Sequence, residues 1–181
     1  MPSIPNFVFE KEIPISIIEK YRSRIPVELI EVWKEYGLGS LSNGYLKIIN
    51  PDQYMELLHD TYSRAKLAIP LFTTAMGDIL IWEDGYLMAL NFRKHEVNVI
   101  GKNFKYFFGD ISDEYFLNKA LDWSPYLEAF EKYGEPAYDE CFGYVPLLGL
   151  GGAEKVENLK KVKFIEHIYI INHFMGPMEW K

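Results

Sequence analysis

The sequence predicts an α+β protein: a largely antiparallel central sheet flanked by helices, with a helical C-terminal subdomain packed against it. Two observations carry this. From Leu67 to Ile100 the chain consists of β-branched and aromatic runs broken by Gly77-Asp78 and Asp84-Gly85, links far too short for a parallel crossover. On both sides of that stretch the apolar residues recur at intervals of three and four, the spacing of helices that bury one face.

Taken in order, Pro14–Tyr21 and Pro26–Tyr36 predict two short helices. The second has proline at its first turn, apolar Leu29, Ile30, Val32, Trp33 and Tyr36, and Gly37 where a positive-φ cap falls. Gly37, Gly39, Ser40, Ser42, Asn43 and Gly44 form a turn-rich link into a strand at Tyr45–Ile49, and Pro51-Asp52 opens a helix through His59. Leu71–Met76, Ile79–Glu83 and Tyr86–Phe92 predict a meander, with Asp84-Gly85 as a tight hairpin turn. Val97–Ile100 and Phe104–Phe108 are candidates to extend it.

Ser112-Asp113-Glu114 looks like a helix start with acidic residues in the first turn, and that helix runs to Leu121. Ser124-Pro125 opens another that ends near Tyr133-Gly134. Tyr138–Gly152, with its aromatics, leucines and four glycines, is too interrupted for a plain helix or strand and is expected to be a packed internal loop. Glu154–Lys163 is polar and lysine-rich, and Phe164–Met175 predicts a mostly buried helix stopped by Gly176-Pro177. No long linker separates these parts, so a boundary near residues 101–111 is a seam between packed halves, 1–105 and 106–181.

Composition narrows the function classes. A chain of 181 residues with 49% hydrophobic and 16% aromatic content can bury a sizeable core, which argues against disorder. The single cysteine, Cys141, excludes an intramolecular disulfide framework and fits a reducing compartment. The start Met1–Phe7 lacks the basic and apolar regions of a secretory signal, and charged residues interrupt every apolar run, so the expected location is cytoplasmic, with no membrane partner. A net charge of -7 repels phosphate backbones and makes direct nucleic-acid binding improbable, while favouring a basic protein partner.

No reaction is spelled out. Cys141 has no activating neighbours in sequence and reads as a small buried hydrophobe. His167 and His173 are six residues apart, on opposite faces of one helix, and form no metal pattern; His59 and His95 are isolated. Gly149-Leu150-Gly151-Gly152 is followed by Glu154 where a dinucleotide fingerprint needs its third glycine. No metal, cofactor or catalytic set is therefore expected. Trp33, Tyr36, Trp82 and Trp123 could line a small-molecule pocket, but their spacing suits a core. The cluster Phe107–Phe116, with Asp139-Glu140, could offer carboxylates and aromatics to a basic cleft; the plainer reading is a helix N-terminus whose acids complement the dipole. The candidate contact residues are Asp110, Asp113, Glu114, Asp139 and Glu140.

Leu29–Gly39, running into Gly44-Tyr45-Leu46 and Asn50-Pro51, and continuing through Thr74–Asp78 and Phe107-Phe108, resembles the GAD-like domain of bacterial type VI secretion immunity proteins. Glu140–Gly152, followed by Glu166-His167-Ile168, is similar to the C-terminal domain of those proteins. The start of the chain is also similar in character to the SUKH group of immunity proteins. The resemblance implies a cytoplasmic antitoxin that binds and blocks a secreted DNase effector. A DNase that grips phosphate needs a basic cleft, which an acidic chain can occupy; from the residues no cofactor is expected, and the chain is read as a monomer or homodimer. A small-molecule enzyme or ligand-binding protein, and a regulatory scaffold, are the alternatives.

Overall fold

The computed structural model describes residues 3–180; Met1, Pro2 and Lys181, the ends of the two expected halves, lie outside the described residues. Its elements are β1 (Val8–Lys11), α1 (Ile15–Tyr21), α2 (Val27–Tyr36), β2 (Leu38–Leu41), β3 (Leu46–Ile48), α3 (Pro51–Thr61), β4 (Ala68–Thr74), β5 (Asp78–Glu83), β6 (Tyr86–Asn91), β7 (Glu96–Gly101), α4 (Phe107–Asp110), α5 (Glu114–Leu121), α6 (Pro125–Tyr133), β8 (Glu140–Tyr144), β9 (Leu159–Lys163) and α7 (Phe164–Met175). Strands β1 to β7 form one antiparallel sheet in sequence order, and β8–β9 a separate hairpin. The α+β prediction holds.

The middle of the sheet, β3 to β6, is buried on both faces because these strands are largely apolar at successive positions, whereas the edge strands β1 and β7 are partly or fully exposed. In β5, Ile79 and Ile81 face a core layer shared with Tyr54, Leu57 and Leu58 of α3 and Phe164, Ile168 and Ile171 of α7. Leu80, between them, faces the opposite layer, built from α1, α2, α4, α5 and α6. The expected hairpin at Asp84-Gly85 is present, with both residues at positive φ, 49° and 81°, as a two-residue turn of this hand requires.

Several elements depart from expectation. The turn-rich link after α2 contains a strand, β2, and the N-terminal segment supplies a further edge strand, β1. Gly39 permits this: a Cβ there would run into the Val8 carbonyl and the Phe7 ring, so glycine lets β1 approach. Phe104–Phe108 is not a strand. It turns into α4 and drives Phe104, Phe107 and Phe108 into the core around Phe72, with ring centroids 5.3–6.3 Å from it. The glycine-rich block begins with a buried strand, β8, whose partner β9 lies in the lysine-rich segment; only beyond the cis Val145–Pro146 bond does it become irregular and largely exposed. Gly143 makes room for the His167 ring and Gly149 for Met175, seating α7 on the block. Finally, α7 is not mostly buried: only Phe164, His167, Ile168 and Ile171 are.

The two sides of the 101–111 seam share one core and one buried polar network. Arg93, following β6, donates from one guanidinium nitrogen to both Asp78 oxygens at 3.1 Å and to the Met76 carbonyl at 3.0 Å. Its other terminal nitrogen donates to the carbonyls of Leu121 and Asp122 at the end of α5, at 3.3 and 2.7 Å. Thr74 Oγ1 donates to Asp78 at 2.6 Å. Burial pushes the Asp78 carboxyl up while Arg93 and Thr74 pull it down, and Asp78 in turn holds Arg93 firmly protonated against its own desolvation. Removing one partner strands a buried charge, so Asp78→Ala is expected to lower unfolding free energy by roughly 3–5 kcal/mol, measured by urea denaturation. A loss below about 1 kcal/mol would show that the pair is dispensable.

Candidate functional site

Beside the ion pair a polar groove of about 450 Å³ is lined by Asn91, Lys94, Glu96, Asn98, Asn118 and Asp122. Lys94 bonds Asp122 and reaches Glu154 at 3.0 Å, while Glu96 and Lys119 line the same groove without an ion pair among the described residues. A second anchor across the seam is Lys47 of β3. Its ammonium is buried and donates to the carbonyls of Ala137 and Glu140, each at 2.6 Å. Tyr45, Tyr126 and Tyr138 also donate across the seam, to the carbonyls of Leu121, Asn43 and Ile48. These contacts hold the two halves together.

The five predicted carboxylates fall into two groups on different elements. Asp113 caps α5, accepting from Tyr115 N at 3.0 Å, a role the sequence assigned to the Ser112-Asp113-Glu114 start as a whole. Asp110 and Glu114 are exposed beside Tyr106 and Tyr115, which are 63% and 70% exposed, whereas Phe107 and Phe108 point into the core. Glu114 and Ser112 border a groove of about 290 Å³ that also takes in Ile4, Asn43, Phe108 and Trp123. In the second group, Asp139 is paired with Lys163 at 2.8 Å, which draws its carboxyl below the usual range. Glu140 accepts from Ala137 N at 2.8 Å and is half-buried. Neither borders that groove.

Of the four aromatics that could line a pocket, Trp33 and Tyr36 border one groove, Trp123 borders another and Trp82 borders neither. Trp33 and Trp123 are buried in the core, and Tyr36 and Trp82 pack against it. Trp33 forms one wall of a groove of about 380 Å³ near exposed Phe9 and Ile15, and its buried indole N–H has no acceptor among the described residues. Cys141 is buried and its thiol is pushed up to about 12 by desolvation, which keeps it protonated and unreactive at neutral pH. His167 is buried over Gly143 and biased toward the neutral form by desolvation; His173, on the far side of α7, is exposed. Among the described residues no three His, Cys, Asp or Glu side chains gather as metal ligands. What the sequence missed is the outer face of α7, where Ile165, Ile170 and Phe174 meet solvent. Its hydrophobicity was visible, but which half of it would stay uncovered was not.

A model of the GAD-like domain matches residues 2–95, just over half of the chain. The chain belongs to the GAD-like domain family. Residues 101–175 match the model described as T6SS immunity protein Tdi1, C-terminal, and this supports a type VI secretion immunity role for this GAD-like chain. Among solved structures, the crystal structure of Atu4351 from Agrobacterium tumefaciens aligns with a TM-score of 0.73 at 21% identity, covering 91% of this chain and 84% of that one. At that identity the likeness concerns the fold. No curated protein matches the sequence. No helix among the described residues is long and apolar enough to cross a membrane.

The Lys47 anchor gives this seam a pH signature. Burial pulls the ammonium down from 10.5 to about 8. In that window the unfolded chain binds more protons than the folded one, so this group makes stability rise with pH. Between pH of about 7 and 9.5, wild type is expected to gain about 1–2 kcal/mol of unfolding free energy relative to Lys47→Met, measured by urea denaturation. A parallel pH dependence in the two proteins would refute the buried charge.

Proposed function

We propose that this chain is a cytoplasmic immunity protein, built from a GAD-like unit over residues 1–105 and an immunity-type unit over 106–181. It binds a cognate secreted toxin, a nuclease with a basic cleft, and neutralises it by occlusion without chemistry of its own. The match of residues 101–175 to the immunity-protein model carries this reading, with the GAD-like match in the expected order before it. The net charge of -7 supports it, because a nuclease that grips phosphate presents a basic surface to which an acidic protein is drawn over long range.

Of the five candidate contacts, Asp110 and Glu114 are the exposed pair flanked by exposed tyrosines, and we assign them to steering. Asp113, Asp139 and Glu140 hold the surface in shape through the cap, the Lys163 pair and the Ala137 bond. The enzyme alternative gains no support from the buried tryptophans.

Co-expression with the toxin encoded in the neighbouring reading frame tests the role. Cells are expected to survive, and the two proteins to co-purify at fixed stoichiometry; absence of both protection and complex would reject the reading. In the same system, Asp110→Asn with Glu114→Gln is expected to slow association by about two- to tenfold at low salt and little at high salt. Association at the wild-type rate under both conditions would remove this corner from the contact surface.

A further inference from the structure

The groove of about 290 Å³ beside the start of α5 is built across the seam. Leu41, Ser42 and Asn43, at the end of β2 and in the turn after it, form one wall, and residues from α4 to the loop after α5 form the other. Both walls are fixed before anything enters. Tyr126 donates to the Asn43 carbonyl, and Tyr45 to the Leu121 carbonyl two residues before Trp123, so the bonds that hold the seam also set the width of the groove. A preformed site loses little to ordering when it is filled.

Its chemistry has one sign. The floor is apolar, with Leu41, Phe108, Ile111, Leu117 and Trp123 all buried. The rim is polar: Ser42, Asn43 and Ser112 offer oxygens, and Glu114 is the single charged residue that borders the space. Glu114 takes part in no ion pair among the described residues. The cations nearest to it along the chain, Lys105 and Lys119, lie instead over the rings of Tyr106 and Tyr115, at 5.1 and 5.8 Å. Other grooves are mixed: Lys94 and Lys119 line the one beside the buried ion pair, and Lys34 the one beside Trp33. The space is just below the range of about 300–1,000 Å³ that encloses a drug-sized molecule, and it suits a single long side chain.

An apolar floor under a rim of acceptors matches arginine. Its methylene stem covers apolar surface while the charged head stays at the rim. The planar guanidinium gives two parallel N–H groups to one carboxylate and keeps others for the oxygens of Ser42, Asn43 and Ser112. Lysine, a compact and strongly hydrated charge, gains less from the same arrangement.

We propose that this groove is the anchor pocket for an arginine side chain of the toxin, with Glu114 as its bidentate acceptor. The source of that arginine rests on the immunity reading above. Glu114 then holds the complex as well as steering it, whereas Asp110, which does not border the groove, acts on the encounter alone.

Two experiments separate the pocket from the role. In the first, Nα-acetyl-arginine amide is titrated into the isotope-labelled full chain and followed by NMR. Saturable shifts in the millimolar range are expected at the amides of residues 41–43 and 111–117. They are expected to vanish in Glu114→Gln and in Ser112→Trp, which keeps every charge but crowds the rim, and to be several-fold weaker with Nα-acetyl-lysine amide. The dispersion of each variant's spectrum checks its fold. Absence of shifts, shifts that survive Glu114→Gln, or equal shifts from the lysine amide would overturn the pocket. In the second, dissociation of the toxin encoded beside this chain is followed by surface plasmon resonance. Glu114→Gln and Ser112→Trp are each expected to speed it by about tenfold at low and high salt alike, because a buried pair is poorly screened, while Asp110→Asn changes association only. Binding of the arginine amide with unchanged toxin dissociation in both variants would overturn the toxin as the source of the side chain. Failure of wild type to bind the toxin would overturn the immunity reading and that source with it, and the amide titration would still decide whether the pocket takes arginine.

Discussion

The guanidinium of Arg93 is the interaction on which the rest of the structure turns. It joins the β4–β5 turn, through Asp78 and the Met76 carbonyl, to the carbonyls that end α5. A charge this deep is tolerable only when paired and hydrogen-bonded, as both terminal nitrogens are here, so the network fixes how the end of α5 sits on the sheet. Lys47, Tyr45, Tyr126 and Tyr138 repeat the device, each sending a side-chain donor from one half into a carbonyl of the other. The seam is thus bonded as well as packed, and the two matched regions, 2–95 and 101–175, meet as one body.

That rigidity bears on what such a protein does. A binder that works by covering another molecule benefits from a surface that is already in its final shape, because ordering side chains and loops on contact subtracts from affinity. The cap at Asp113, the Asp139–Lys163 pair and the seating of α7 on Gly143 and Gly149 each fix part of this surface. They also explain why the carboxylates most visible in the sequence are not all free: Asp113, Asp139 and Glu140 hold the scaffold, while Asp110 and Glu114 are exposed beside exposed tyrosines.

Much of the fold was legible where short-range chemistry decides. Pro26 and Gly37 bracket α2, Pro51-Asp52 opens α3, and Asp84-Gly85 makes the tight turn between β5 and β6. The short strands β1, β2, β8 and β9 were not legible, because these runs of four or five residues have no intrinsic preference strong enough to stand alone and take their form from the partner beside them. Phe104–Phe108 carries strand-like residues but becomes a plug for the core, since three phenylalanines gain more by surrounding Phe72 than by pairing at a sheet edge.

By itself the sequence determined the α+β class, the acidic balance, the pattern of helix starts and stops, and the blocks that mark the family, all of which are properties of composition and local spacing. Tertiary structure decided which charges are spent inside the molecule and which apolar groups stay outside it. Arg93 and Asp78 are fifteen residues apart, and nothing in either one's neighbourhood along the chain announces that they meet in the core. The same holds for α7: its residues are apolar nearly all round, and only the packing of the sheet and α3 on one half left the other half facing water.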